Sequence, residues 1–548
     1  MCGIIGTTDL SSKSFEKNAL KALNEIRHRG PDNQGTFRDS EVFLGHTRLA
    51  IVDLSTQGDQ PIYYSDFVLV FNGELYNYIE IKEDLVSKNI EFNTNSDGEV
   101  FIKAFSVYGT DIFNSFDGPF AFILYNKVSG EIWFGRDAFG EKQLFFSIDD
   151  NNIFISSTIQ ALRLLKPEKS YVVDDECVNE FIHTGMIGRS EKTVYKEIKK
   201  CEPGCVYQVN KLNDKLELSK KHFSLQSYCE KNLKLITNRY FSDRFHETFK
   251  YSIEKRLRVD VPYTLLLSGG IDSSYLLCVL VNELKIKPVC YTLLEEGHPD
   301  IENVRHLTDH FSLELILITP PKDFSNFYIE ALEKLDVPIF DAAYFSLYYI
   351  ISHIPSNYKV IFCGDGADEL FLSYSDARLL EKTQKYYNIL FLVAKLVTPL
   401  IPRFRRGLLY GNKNTHKKWE AYWQALNAGR ELYDHEKNVT KSSLTNLSER
   451  LNIKSDRAGM AFSKELRTPF LNKELFSLCE NARFSNLNIS SKQVLIDYVN
   501  ATIGRNLNLT KRGFNSGGMK EGFKFLGDTS VKSISQVILA ATNRPHSK

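Results

Sequence analysis

Apolar and polar positions follow one rhythm over the first 210 or so residues of this chain and another beyond residue 238. In the first part, short β-rich runs such as Val42-Phe43-Leu44, Phe67 to Phe71, Phe120 to Tyr125 and Ile132-Trp133-Phe134 are punctuated by Gly, Asn and Asp, the pattern of strands joined by turns. Two stretches, Phe15 to Arg27 and Tyr78 to Lys88, space their apolar residues as helices do. Strands with a few helices predict a sheet-on-sheet core with the helices outside. The segment Lys211 to Asn238 is rich in Lys, Asn and Ser with weak periodicity and reads as a linker. After it come a helix from Tyr240 to Arg258, a strand from Tyr263 to Leu267, a helix from about Asp272 to Leu284, a strand from Pro288 to Leu294, a helix from Asp300 to His310 and a strand from Leu313 to Ile318. That alternation predicts an α/β doubly wound parallel sheet. Beyond Phe371 the chain reads as almost wholly helical, so the expected division is residues 2–210, a linker over 211–238, and 239–548.

Composition narrows the class. The 548 residues are 43% hydrophobic and 25% charged, an ordinary globular balance. Lys+Arg and Asp+Glu each count 68, so no net charge points to nucleic acid or to an anionic membrane. The basic turn Arg403-Phe404-Arg405-Arg406 reads as a solvated surface. Nine cysteines, at 2, 177, 201, 205, 229, 278, 290, 363 and 479, form no CxxC pair. This spacing argues against zinc, and the apolar surroundings of several of them suit buried thiols in a reducing compartment. The start Met1-Cys2-Gly3 has no signal-peptide pattern. The apolar stretch Ile389 to Pro402 falls short of the roughly 20 residues that span a bilayer, and reads as a buried helix. A cytoplasmic protein that does not bind membranes or nucleic acid is expected.

Chemistry concentrates in two places. If Met1 is removed, Cys2 carries its own general base, since a thiol and an α-amine of pKa about 8.5 and 7.7–8.0 exchange protons near neutrality. Around it in sequence follow Arg27-His28-Arg29-Gly30-Pro31-Asp32, Arg48-Leu49-Ala50-Ile51-Val52-Asp53, Asn72-Gly73-Glu74-Leu75-Tyr76-Asn77 and Ser96-Asp97-Gly98-Glu99. An Arg fork such as Arg48 grips an α-carboxylate, carboxylates such as Glu74 and Asp97 hold an α-ammonium, and Asn72 with the Gly73 N–H offers two donors to a tetrahedral oxyanion.

This series resembles the glutaminase domain of class II glutamine amidotransferases, as found in asparagine synthetases. The runs Asp117 to Phe122 and Gly135-Arg136-Asp137 are also similar to that family. The resemblance implies an N-terminal nucleophile sandwich of two antiparallel sheets with flanking helices, with Cys2 as nucleophile and Arg48, Asn72, Gly73, Glu74 and Asp97 around glutamine. Departures lie at Gly140-Glu141-Lys142-Gln143-Leu144-Phe145-Phe146, where the family usually reads Gly-Ile-Lys-Pro-Leu-Tyr-Tyr, and at Ser157-Thr158 in place of Ser-Glu.

The second place is Leu265-Leu266-Leu267 followed by Ser268-Gly269-Gly270-Ile271-Asp272-Ser273-Ser274. A strand ends, glycines turn the backbone and a helix begins, which makes a concave anion site. No Gly-Lys-Ser/Thr follows, so this is not a Walker A loop; it resembles the loop of ATP-pyrophosphatases. Val360-Ile361-Phe362-Cys363 ends similarly in Gly364-Asp365-Gly366-Ala367-Asp368-Glu369, and acids at a strand end suit magnesium on phosphates. The resemblance implies Asp272 and Asp368 as magnesium ligands, Asp365 in positioning or proton transfer, and Leu266, Leu293, Cys363 and Gly364 beside adenine and ribose. Arg457 to Leu471 is similar to the family's helical core motif, with Asn472 where Asp is usual. Lys511-Arg512-Gly513-Phe514 resembles the late segment whose Lys, here Lys511, contacts phosphate during adenylation.

Together these imply glutamine hydrolysis at one site and amidation of an adenylated carboxylate at the other, with ATP and Mg2+. Aspartate is the family's commonest acceptor. The alternative is another acid, such as a uronic acid in surface polysaccharide assembly, since Leu372-Ser373 stands where many relatives have Gly-Gly. A non-catalytic relative would have lost Cys2, the Ser-Gly-Gly loop or Asp368, and all are intact. Similar enzymes are commonly dimers, so a homodimer is open.

Overall fold

The computed structural model describes residues 2–373 and 440–504, apart from 150, 189–190, 213–214, 224, 231–233, 295–296, 321–324, 340, 441–442, 486 and 490. The expected helix at Ile389 to Pro402, the basic turn at 403–406, Lys511 and the C-terminal tail lie outside these residues.

Twelve strands build the first domain: β1 (Gly3–Thr7), β2 (Asn33–Arg38), β3 (Phe43–Arg48), β4 (Ile62–Tyr64), β5 (Phe67–Gly73), β6 (Phe120–Asn126), β7 (Ile132–Arg136), β8 (Phe145–Asp149), β9 (Asn152–Ser156), β10 (Lys199–Lys200), β11 (Cys205–Leu212) and β12 (Lys215–His222). They form two antiparallel sheets, ordered β10-β8-β9-β1-β3-β2 and β12-β11-β7-β6-β5-β4. Alternation along the strands sends Ile4, Leu44 and Ile155 of one sheet and Val68, Val70, Ile123 and Phe134 of the other into a shared core. The opposite faces are covered by helices: Phe15–Glu25 and Ile159–Leu165 on the first sheet, Tyr78–Ser87 and Asp97–Tyr108 on the second. On the second sheet, Phe101 stands within 6 Å of the rings of Phe71, Phe113, Phe116, Phe120 and Phe122, so the outer layer is locked by aromatic packing.

The linker expectation is corrected at its start. All of β11 pairs with β12, and Cys205 to Val209 also pair with β7, so residues 211, 212 and 215–222 belong to the second sheet. β12 is an edge strand with no buried position and three lysines, and beyond Leu216 and Leu218 it gives no hydrophobic alternation to read.

The second domain carries a five-stranded parallel sheet of β13 (Tyr263–Leu266), β14 (Cys290–Leu293), β15 (Leu315–Ile318), β16 (Val360–Phe362) and β17 (Glu465–Arg467), in the order β15-β14-β13-β16-β17. Succession runs outward one way from β13 to β15 and the other way from β16 to β17. The switch therefore lies between β13 and β16, where such sheets open a crevice at the carboxyl ends of their strands. Leu265 pairs with Phe362, so the two strand ends meet side by side. β17 falls inside the segment expected to be helical. Its three residues are buried but charged or alternating, and no propensity announces them. No helix among the described residues is long and apolar enough to cross a membrane.

Buried ion pairs hold the two domains in register. Arg29 makes a fork with both oxygens of Asp456 at 2.9 and 3.0 Å, and both side chains are almost fully buried. Arg457 pairs with Asp336 and donates to the Ser157 carbonyl. Losing one partner of such a pair strands a buried charge, which costs about 3–5 kcal/mol.

Candidate active sites

Cys2 precedes β1 and is buried. Its backbone is pinned at both ends: its N–H donates to Asn72 Oδ1 at 2.9 Å, and its carbonyl accepts from Arg29 Nε at 3.1 Å. Burial pushes the thiol up, so it rests protonated and needs a base when it attacks. The Nδ2 of the same Asn72 amide is buried without a hydrogen-bond partner. An unpaired buried donor costs about 1–3 kcal/mol, which an incoming oxygen relieves. Next to it Gly73 ends β5 with φ +143°, and a Cβ there would lie 2.0 Å from the Pro119 carbonyl oxygen. Glycine is obligatory at this position.

Cys2, Arg48, Gly73, Glu74, Ser96 and Asp97 line one cavity. Sequence positions as far apart as 2 and 97 converge because β1 begins, and β3 and β5 end, at the same edge of the sandwich. Arg48 Nη1 donates to the Ser55 carbonyl at 2.7 Å and to Asp59 Oδ1 at 2.6 Å, so this guanidinium also anchors the 52–59 loop that walls the cavity. Glu74 faces Arg467 of β17 at 3.1 Å across the domain boundary. Arg467 is shared with Glu465, at 2.8 Å. Against the burial that raises it, Arg467 and Lys142 hold Glu465 near 2, whereas burial wins at Glu74 and pushes it up. Asp97 starts the helix Asp97–Tyr108 behind the Ser96 cap and accepts from the Leu75 N–H at 2.8 Å. Burial raises its pKa to about 6. If its carboxylate holds the substrate's ammonium, KM for glutamine in the glutaminase half-reaction should rise roughly tenfold per unit as pH falls below about 6, with kcat less affected. A KM flat from pH 7 to 5 removes Asp97 from ammonium binding.

At the second site the Ser268–Ser274 loop joins β13 to the helix Ile271–Cys278. Gly269 has φ +76°, and a Cβ on it would meet the Asp300 carbonyl oxygen at 2.7 Å. Ser273 Oγ accepts from the Ser268 N–H at 3.2 Å and lies 3.0 Å from Ser268 Oγ, which closes the loop on itself. Gly364, at the end of β16, is so close to this loop that a Cβ would stand 3.0 Å from the Ser273 nitrogen. Leu266, Leu293 and Cys363 are buried at the carboxyl ends of β13, β14 and β16. Asp365 accepts from Ser455 Oγ at 3.0 Å and stands 3.2 Å from Lys454 Nζ.

The sharpest addition is Lys492, which the sequence reading passed over. Its Nζ sits 2.6 and 2.8 Å from the two oxygens of Asp272 and 2.7 Å from Asp368 Oδ1, and the side chain is buried. Both carboxylates assigned to magnesium thus converge on one cation, from loops nearly 100 residues apart. No local pattern marks a single lysine ahead of an apolar helix. Arg29, Asp456 and Arg467 were likewise unassigned, because their partners lie in the other domain. Asn472 proves to be the N-cap of the helix Lys473–Phe484, its Oδ1 accepting from the Glu474 and Leu475 N–H groups at 3.0 Å each. Asn caps as well as Asp does, so this departure is accounted for locally.

A nucleophile-sandwich domain with a Cys2 pocket, joined to a parallel-sheet domain with a pyrophosphatase-type loop, defines a glutamine amidotransferase coupled to an ATP-dependent synthetase. Comparison with known proteins agrees. Residues 1–223 match the glutamine amidotransferase domain family and residues 244–495 match the asparagine synthase family. The chain is 26% identical over 520 residues to asparagine synthetase [glutamine-hydrolyzing] 1 of Bacillus subtilis (strain 168), covering 87% of this chain and 80% of that protein. It is 28% identical over 401 residues to putative asparagine synthetase [glutamine-hydrolyzing] 2 of Methanocaldococcus jannaschii, covering 68% and 76%. Among solved structures, glutamine phosphoribosylpyrophosphate amidotransferase from B. subtilis aligns at 14% identity with a TM-score of 0.31, over 58% of this chain and 82% of that one. The chain belongs to the asparagine synthetase family of class II glutamine amidotransferases.

Proposed function

We propose that this enzyme makes asparagine from aspartate, ATP and glutamine. Cys2 attacks the glutamine side-chain amide, with its α-amine as base once Met1 is gone. Asn72 Nδ2 and the Gly73 N–H receive the oxyanion, ammonia leaves, and water releases glutamate from the thioester. At the second site the acceptor carboxylate attacks the ATP α-phosphate, pyrophosphate leaves from the Ser268–Ser274 loop, and ammonia displaces AMP from the acyl-adenylate.

A lysine ammonium seated between Asp272 and Asp368 supports reading that pair as a cation site, since a second cation finds the same two carboxylates. They would hold Mg2+, which supplies charge neutralisation on the departing phosphates. Lys492 is placed to stabilise the same charge from the protein side, a role the sequence reading gave to Lys511.

The observation that carries the two-site reading is Arg467. Its side chain reaches Glu74 in the Cys2 cavity, while its carbonyl accepts the N–H of Cys363 at 3.1 Å, where β16 enters the nucleotide loop. One residue touches the walls of both sites. Ammonia in open water is mostly protonated and non-nucleophilic, so a closed interface between the sites suits the chemistry. The test is pyrophosphate release from purified protein with ATP, Mg2+ and glutamine, with and without L-aspartate. Aspartate-dependent release with asparagine as product is expected. Glutaminase activity without aspartate-dependent pyrophosphate moves the acceptor to another acid.

A further inference from the structure

The edge of the second sheet carries a side-chain cluster that neither half-reaction uses. Cys205 opens β11, His222 closes β12, and the two are directly opposed in the antiparallel register, so their side chains leave the same face. Cys205 Sγ lies 2.9 Å from His222 Nδ1. Glu202 reaches the pair across Pro203-Gly204, where Gly204 turns the chain with φ +63°. Its Oε2 stands 3.6 Å from the sulfur and 4.0 Å from His222 Nε2. One ligand atom from each residue lies within 4.8 Å of the other two. Cys205 is buried and His222 is half exposed, so the cluster opens to solvent on one side. Lys220 Nζ, 3.3 Å from Glu202 Oε2, has a second carboxylate in Glu191 at 2.9 Å and need not stay.

Zinc takes sulfur at about 2.3 Å and nitrogen or oxygen at about 2.0–2.2 Å in a tetrahedron, which sets ligand atoms roughly 3.3–3.7 Å apart. With Nδ1 as the nitrogen ligand, the sulfur–oxygen spacing of 3.6 Å lies in that range and the sulfur–nitrogen spacing of 2.9 Å falls short of it, so the half-exposed imidazole has to swing outward by a few tenths of an ångström to admit the ion. We propose that Glu202, Cys205 and His222 bind a divalent ion of zinc's kind, with solvent as the fourth ligand. The missing CxxC spacing does not bear on this site, because sheet register brings together a cross-strand Cys–His pair from positions 17 residues apart. The donor set of thiolate, imidazole and carboxylate is softer than the all-oxygen Asp272–Asp368 pair, so the two places select different metals. Burial, and then Glu202, push the Cys205 thiol up to about 12, so binding must release its proton. The ion would staple the β11–β12 edge just ahead of Phe223, which packs into the aromatic core. Its role is structural.

The test uses the full-length Cys2→Ala protein, which removes the nucleophilic thiol as a competing ligand. After treatment with a chelator it is titrated with Co2+ in the absence of ATP. One equivalent should bind with thiolate-to-metal charge-transfer absorption, Zn2+ should displace it, and Zn2+ should raise Tm by several degrees. Cys205→Ser and His222→Ala, each in the same background, should abolish the band and the Tm shift, while Asp272→Asn should change neither. Cys205→Ser is nearly isosteric and His222 is half exposed, so if one variant fails to fold the other decides. Absence of the band, or a band that survives both substitutions, overturns the site and leaves the two-site reaction untouched.

Discussion

Cys2→Ala should abolish asparagine synthesis from glutamine, by about 10⁴-fold or more, and leave synthesis from added ammonium within about twofold. The separation follows from what holds Cys2. Asn72 Oδ1 and Arg29 Nε bond its backbone N–H and carbonyl, not its sulfur, so alanine keeps both anchors and the strand that follows. The loss is therefore chemical, that of the nucleophile alone. Ammonium synthesis needs the second site, whose loop, carboxylates and Lys492 come from other elements. Its rate in the variant should climb with pH, as the free-base fraction of ammonia does. Steady-state assays of asparagine with each nitrogen source check this. Equal loss with both sources would show that Cys2 supports the interface, and the assignment of hydrolysis to the first domain would fall.

What the sequence could show tracks how local the signal is. The strands β13, β14, β15 and β16 follow the expected runs to within two residues or so, since each is a short apolar run between turn residues. The helix Asp97–Tyr108 carried no amphipathic pattern, because its first nine residues are all buried between sheet and aromatic layer. β17 and β12 failed for opposite reasons, one buried with charges, the other exposed. The site divides the same way. Cys2, Asn72, Gly73 and the Ser268–Ser274 loop need backbone geometry that leaves a mark in local sequence, most plainly glycines that a Cβ would clash with. Arg467, Asp456 and Lys492 act through partners about 100 to more than 400 residues away, and single charged residues look the same wherever they end up.

Lys492→Ala should slow pyrophosphate release by about 10²–10³ while glutaminase activity survives, since removing one preorganised donor to developing charge typically costs that much. In the resting protein its ammonium neutralises Asp272 and Asp368, and burial alone would lower its pKa, but the two carboxylates reverse that and hold it charged. Alanine leaves two carboxylates facing each other, so the variant should also need more Mg2+ to reach its residual rate. Asp272→Asn attacks the same cluster from the other side: it removes one of the two carboxylates proposed to hold Mg2+ and one partner of the lysine, and should suppress pyrophosphate release still more deeply. Lys492→Arg keeps the charge but replaces a compact ammonium by a planar fork, and should recover only part of the rate. Single-turnover measurement of pyrophosphate with ATP and aspartate, over a range of Mg2+, separates these effects. Lys511→Ala belongs in the same series. Unchanged release in Lys492→Ala beside a large loss in Lys511→Ala would return the adenylation role to the later lysine. Unchanged release in Asp272→Asn would remove the cluster from the chemistry altogether.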